Sequence, residues 1–262
     1  PKVFLPGSAL SIGSFDGPHI GHEKLYQTIL AQRQKNGYSA GVISFRRPLG
    51  GYKKPAEYKG DISTLAQRLT AFESEGLDFA IVIDFSDDFC KIEGQVFLSL
   101  LKRCCNMKFL AEGQDFHCGH LGATGIAEIC AYAAEQDFTV AVVPPVLYGQ
   151  ERVSSTRIRQ DILNGDFKPV QYMLSHPYRI DSRAFQWSLE KKKNTIYLSA
   201  VKNLLQVLPS GGVYDVMVIL SGGSDKNSCK AKLIVEPQFL RLQVLQFDEN
   251  FTVRAIEFIS AK

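Results

Sequence analysis

The chain changes its hydrophobic rhythm once. Through its first 145 residues, short apolar runs alternate with segments in which apolar residues recur every three or four positions. The runs at 9–12, 41–45, 79–84, 108–112 and 138–143, rich in Val, Ile and Phe, read as strands, the third a buried one. Between them, 23–35, 64–74, 93–105 and 124–135 carry helical spacing. Leu65, Leu69 and Phe72 share a face of the second, and Val96, Phe97, Leu100 and Leu101 share a face of the third. Strand–helix alternation with near-continuous apolar strands predicts a parallel sheet covered on both faces, ended by Pro144-Pro145. In such sheets ligands lie at the carboxyl ends of the strands.

After Pro177 the rhythm has a period of two. Segments 195–198, 214–220, 232–235, 240–247 and 251–259 alternate apolar and polar residues and are separated by Gly, Ser, Asn and Asp. That pattern predicts an antiparallel β module, a small barrel or a sandwich. Residues 158–175 read as helix broken in two by Asn164-Gly165-Asp166. The fold class is therefore α/β: a Rossmann-like parallel-sheet domain over 1–175, followed by a small antiparallel β-barrel domain over 176–262. There is no internal repeat and no low-complexity tract.

The chemistry concentrates where the first strand meets the first helix. Gly13-Ser14-Phe15-Asp16-Gly17-Pro18-His19-Ile20-Gly21-His22 forms a glycine-rich turn at a helix N-terminus. Such a turn aims backbone N–H groups and the positive end of the helix dipole at one point, which suits a phosphate. Gly13 and Gly17 permit tight backbone geometry, and Gly21 lets a ligand approach the first helical turn. His19 and His22, three apart, project from one face of that turn. A single histidine here would read as an ordinary surface residue. Two, with the glycines around them and a strand upstream, read as stabilisers of charge on a phosphorus centre.

Composition narrows the class. The 262 residues are 45% apolar and 22% charged, as in a globular protein with a full core. A net charge of +3 is too small to argue for a nucleic-acid groove, and Lys191-Lys192-Lys193 reads as a solvated turn. No apolar run reaches the roughly 20 residues a membrane-spanning helix needs. The chain opens on Pro1 without an initiator Met, so a removed targeting segment stays open. Six scattered cysteines with no Cys-x-x-Cys pair predict reduced thiols in a cytoplasmic protein. His117-Cys118-Gly119-His120 gathers metal-ligand types but has no second cluster to complete a zinc site, so no metal site is assigned.

Two further motifs follow strands. Arg152-Val153-Ser154-Ser155-Thr156-Arg157-Ile158-Arg159 opens a helix. One hydroxyl residue suffices to cap it, and three in succession with three arginines suit a polyphosphate. Gly113-Gln114-Asp115-Phe116-His117-Cys118-Gly119 follows the fourth strand, as a plain loop or as part of a pocket.

These three motifs carry a family resemblance. The His-x-Gly-His element at 19–22 resembles the nucleotidyltransferase signature, and its longer form at 13–22 resembles the flavin adenylyltransferase (FAD synthetase) family. Residues 154–159 resemble that family's Ser-Ser-Thr-x-Ile-Arg, and 113–119 its Gly-x-Asp-Phe-x-Phe-Gly, with Cys118 in place of Phe. The resemblance implies transfer of AMP from ATP to FMN, giving FAD and pyrophosphate. It implies catalytic roles for His19, His22 and Arg159. It implies ATP contacts from Gly13, Ser14, Phe15, Asp16, Gly17, Gly113, Asp115, Arg152, Ser154, Ser155 and Thr156, and flavin contacts from Phe45 and Phe116. Mg²⁺ is expected with ATP, held by phosphates and water. An FMN phosphate is largely dianionic at neutral pH and needs no general base. The expected partners are thus small molecules, with neither nucleic acid nor membrane.

The chain departs from the family at Ser14, where Asn is usual, and at Arg46-Arg47-Pro48-Leu49, where an acidic residue and Pro-His-Pro are usual near the flavin. In many relatives the second domain is a riboflavin kinase. Residues 209–216 resemble its Pro-x-x-Gly-Val-Tyr strand, but 178–209 lack Pro-Thr-Ala-Asn, and Arg241 stands where a catalytic Glu is expected, with Glu236 as a substitute. The family's terminal helix does not follow Phe258. The module therefore reads as a kinase fold without the kinase reaction. Two other readings stay open: an adenylyltransferase acting on another phosphate substrate, and a non-catalytic flavin-binding protein.

Overall fold

We describe the fold from a computed structural model that defines residues 6–53, 57–86, 88–192, 195–202, 205–221, 228–244 and 252–259. Lys193 and the predicted strand positions 245–247 and 251 lie outside these residues. In chain order the elements are β1 (Ser8–Ile12), α1 (Ile20–Asn36), β2 (Ser39–Phe45), α2 (Gly50–Lys53), α3 (Leu65–Ser74), β3 (Phe79–Ile83), α4 (Gly94–Cys105), β4 (Met107–Gly113), β5 (His117–Cys118), β6 (Thr124–Gly125), α5 (Ile126–Gln136), β7 (Thr139–Val143), β8 (Leu147–Tyr148) and β9 (Glu151–Arg152). There follow α6 (Ser155–Asn164), α7 (Phe167–Leu174), β10 (Arg179–Asp181), β11 (Ser188–Lys192), β12 (Thr195–Val201), β13 (Gly212–Ser221), β14 (Ser228–Val235), β15 (Phe239–Val244) and β16 (Thr252–Phe258). Contacts group them into two compact units, Pro1–Tyr58 with Arg68–Val153, and Lys59–Gln67 with Ser154–Lys262.

In the first unit a parallel sheet runs in the order β3-β2-β1-β4-β7. Its central strand is buried throughout because both faces are covered. Leu10 and Ile12 of β1 pack with Phe97, Leu98 and Leu101 of α4 and Ile129 of α5, whereas Ala9 packs with Tyr26 and Ile29 of α1 and Phe72 of α3. The strand order reverses at β1, which opens a crevice at the carboxyl ends of β1 and β4. β3, predicted as buried, lies at the sheet edge and is half-buried along its length. On α4, Leu98 belongs to the inner stripe with Phe97 and Leu101, so Val96 is turned out and 50% exposed.

In the second unit seven strands pair antiparallel in the order β10-β16-β13-β14-β15-β12-β11. The fold class is thus the expected one, an α/β domain followed by an antiparallel β domain. β10 and β11 were not expected: β10 is three residues long, and Lys191 and Lys192, expected in a turn, end β11. Gly165, with φ of 80°, separates α6 from α7. Phe167 of α7 then stacks on Phe258 at 4.2 Å. The segment 59–67 is held in this unit by Gln206, whose Nε2 donates to Ile62 O at 3.0 Å and Arg179 O at 3.1 Å while its Oε1 accepts from Asp181 N–H at 2.8 Å.

Candidate active site

The glycine-rich turn leaves β1 with Gly13 N–H donating to Ile43 O of β2 at 3.0 Å. A side chain at Gly13 would sit 3.1 Å from the ring of Phe15, so this glycine makes room for that ring. Phe15 has φ of 46° and Gly17 φ of 61°, two left-handed residues within three. The Phe15 side chain is 2% exposed and meets His22 at 5.1 Å, Tyr26 at 5.5 Å and Phe72 at 5.7 Å. Of this residue only the backbone is left to face a ligand. Asp16 is buried as well. Ser14 turns its Oγ to accept from Leu49 N–H at 3.1 Å, a bond to the protein itself.

His19 is the N-cap of α1, which begins three residues before the helical pattern does. Its Nδ1 accepts from His22 N–H at 3.3 Å, which assigns the proton to Nε2 and makes that atom the ring's donor. The two imidazoles stack with centroids 3.6 Å apart and planes at 13°. Burial pushes the His19 pKa down to about 4, against a backbone hydrogen bond that raises it, and the charge of Arg152 lowers it further. His22 is held well below the usual histidine range by burial, then by His19 and Arg152. Both rings are therefore neutral at physiological pH. A Cβ on Gly21 would lie 3.0 Å from His19 Cε1, so Gly21 accommodates the histidine rather than only a ligand.

At the end of β4, Asp115 Oδ2 accepts from Arg152 at 2.5 Å, with both side chains about half exposed. That hydrogen bond holds the Asp115 carboxyl below the usual carboxylate range. Two residues expected to meet ATP thus meet each other. Phe116 packs on the core around Leu110, and Phe45, 5% exposed, packs on Phe85 at 5.8 Å and Phe89 at 6.4 Å. Cys118 is buried and its thiol is pushed up to about 11 by burial and then by Glu112. His117 Nδ1 lies 2.8 Å from Asp115 O and His120 Nδ1 lies 2.9 Å from Cys90 O. Among the described residues no group of three His, Cys, Asp or Glu side chains is placed to hold a metal.

Sequence reasoning passed over Glu112. It is 1% exposed, and its Oε1 accepts from Ile12 N–H at 2.6 Å, tying the ends of β1 and β4 together at the switch point. Burial raises its pKa well above the usual carboxylate range, against the Ile12 hydrogen bond that lowers it. The signal was an acid next to the end of a strand whose centre is apolar.

The second unit carries the remaining candidates. Ser154 caps α6, its Oγ accepting from Arg157 N–H at 3.2 Å, with Ser155 and Thr156 in the first turn. Arg159 Nε donates to Gly60 O at 2.8 Å and its guanidinium reaches Ser155 O at 3.3 Å.

A sequence model of the FAD synthetase family matches residues 2–157, more than half of the chain. The chain belongs to the FAD synthetase family. That match contains every candidate site residue except Arg159. A bifunctional riboflavin kinase/FMN adenylyltransferase of Haemophilus influenzae is 26% identical over 97% of this chain and 84% of its own length. The bifunctional protein of that name from Escherichia coli K12 is 30% identical over 81% of this chain and 68% of its own length. A Listeria monocytogenes FAD synthetase is 24% identical over 69% of this chain and 73% of its own length. A solved structure described as a macrolide-efflux protein from Streptococcus pneumoniae superposes with a TM-score of 0.79, covering 98% of this chain and 95% of its own at 23% identity. That last likeness is one of fold.

Proposed function

We propose that adenylyl transfer in this chain takes place at the turn around His19 and His22. The chain is an FMN adenylyltransferase: AMP moves from ATP to FMN, giving FAD and pyrophosphate. The observation that best supports the location is the pair of buried, neutral, stacked imidazoles at the head of α1. An oxygen of the FMN phosphate attacks the α-phosphorus, and the bond to the β-phosphate oxygen breaks. Because the nucleophile is already an anion, the protein's task is alignment and stabilisation of charge. His19 Nε2–H, with His22 behind it, donates to the α-phosphate and the bridging oxygen. Backbone N–H groups of the turn beyond Gly13, whose own N–H is bonded to Ile43 O, hold phosphate. Arg152 exchanges Asp115 for phosphate, and Asp115 and Gly113 then border the adenosine. Ser154, Ser155, Thr156 and Arg159 receive the departing pyrophosphate. Phe45 and Phe116 back the flavin from within the core.

Mg²⁺ enters as the ATP complex, carried by phosphates and water. The chain acts on small molecules in the cytoplasm. Its six cysteines are free thiols, and no helix among the described residues is long and apolar enough to cross a membrane. By sequence its domains run over 1–175 and 176–262, whereas by contacts residues 59–67 and 154–175 group with the second unit. The second keeps a kinase scaffold without the kinase reaction: Arg241, standing at the expected carboxylate position, lies 3.6 Å from Glu236, the nearest substitute. Incubation with Mg-ATP and either FMN or riboflavin tests this reading. FMN yields FAD; FMN or FAD arising from riboflavin at a comparable rate overturns the second part.

A further inference from the structure

Arg68 lies on α3 between positions that sequence periodicity assigns to the core, and it is fully buried. A guanidinium in a protein interior is costly unless its donors are met. Here they converge on two stretches of backbone. One nitrogen donates to Ser14 O at 2.9 Å, Ser44 Oγ at 3.0 Å and Phe45 O at 2.8 Å, and the other donates to Arg46 O at 2.9 Å. Ser44 Oγ also reaches Ser14 O, at 3.3 Å. The Ser14 carbonyl is thus held from two directions.

That carbonyl belongs to the peptide bond leading into Phe15, whose φ of 46° is left-handed and unfavourable for a side chain with a Cβ. In a trans peptide the N–H points opposite to the C=O. With Ser14 O drawn inward to Arg68, the Phe15 N–H is turned the other way. Among the described residues no acceptor meets it. The cost of the left-handed residue is therefore offset by charge-assisted hydrogen bonds whose result is an outward-facing donor. The same guanidinium fixes Phe45 and Arg46, and Ser14 Oγ fixes Leu49, so the turn and the start of the following loop share one anchor.

We propose that Arg68 is a positioning residue for adenylyl transfer, setting the Ser14–Phe15 peptide so that the Phe15 N–H is presented to a phosphate of ATP. The proposal rests on the reading that this turn binds ATP. Arg68 touches no substrate and acts through the peptide it holds.

The test compares wild-type protein with Arg68→Met, Arg68→Lys and Ser44→Ala. Binding of ATP and of pyrophosphate is measured by calorimetry, FAD formation by steady-state kinetics, and folding by thermal unfolding. Arg68→Met raises the ATP KM and Kd and lowers kcat by about 10- to 100-fold in total, the scale of a misplaced reacting group. Arg68→Lys restores part of the loss, because one charged donor still reaches the carbonyl. If Arg68→Met does not fold, Arg68→Lys and Ser44→Ala decide, each weakening ATP by a smaller factor. Folded variants of Arg68 with wild-type ATP affinity and kcat but a lowered Tm overturn the proposal and leave Arg68 a structural residue. Wild-type protein that binds ATP and FMN without forming FAD overturns the functional reading instead, and the calorimetric comparison still decides the role of Arg68.

Discussion

Gly21→Ala separates catalysis from stability more sharply than any substitution of a charged group. The added Cβ would lie 3.0 Å from Cε1 and 3.1 Å from Nδ1 of His19, so the ring has to yield by a few tenths of an ångström. It has little room. The ring is 5% exposed and stacked at 3.6 Å on His22. A shift lengthens the 3.3 Å bond from His22 N–H, already near the limit for a hydrogen bond, and turns Nε2 away from its aim. Losing a neutral bond of this kind costs about 0.5–1.5 kcal/mol. Alanine in place of glycine returns up to about 1 kcal/mol of helix propensity. The two nearly cancel, and Tm stays within about 4 °C of wild type. A misaimed donor at the α-phosphate lowers kcat by about 10- to 100-fold. Thermal unfolding and steady-state FAD synthesis with both substrates saturating give the two numbers. A variant that keeps kcat within about twofold of wild type, a change of under 0.5 kcal/mol in the barrier, refutes the placement of His19 in the transition state.

His19→Ala and His22→Ala each lower kcat by about 10²-fold or more with smaller changes in ATP affinity, checked by initial rates over a range of ATP. His19 titrates at about 4 in the folded chain against an ordinary 6.5, so the unfolded chain takes up the proton first. Stability from this group is complete above pH 6.5 and falls by about 3 kcal/mol as pH drops through 4, and His19→Asn flattens that loss in denaturant titrations. Arg159→Ala weakens ATP and pyrophosphate binding by about 1.5–3 kcal/mol and FMN binding much less, measured by separate calorimetric titrations.

Sequence periodicity reached the parallel sheet because β1, β2 and β4 are covered on both faces, which forces long apolar runs. It was weakest where tertiary contacts decide. β3 is apolar yet lies at an edge, and β11 is polar yet pairs with β12. Local motif chemistry located His19 and His22, since a turn and a helix head are contiguous in sequence. It could not tell that Phe15 faces the core or that Gly13 and Gly21 make room for neighbouring rings. Nor could it find Arg68 and Glu112, whose bonds reach residues 54 and 100 positions away. Those bonds exist only once the sheet is assembled.

The central claim is tested most directly by following labelled ATP. With FMN and Mg²⁺ present, label placed at the α-phosphate of ATP appears in FAD, and label at the γ-phosphate appears in pyrophosphate, in equal amounts. Label from the γ-phosphate in a flavin, or ATP and FMN bound with no labelled FAD formed, contradicts the account.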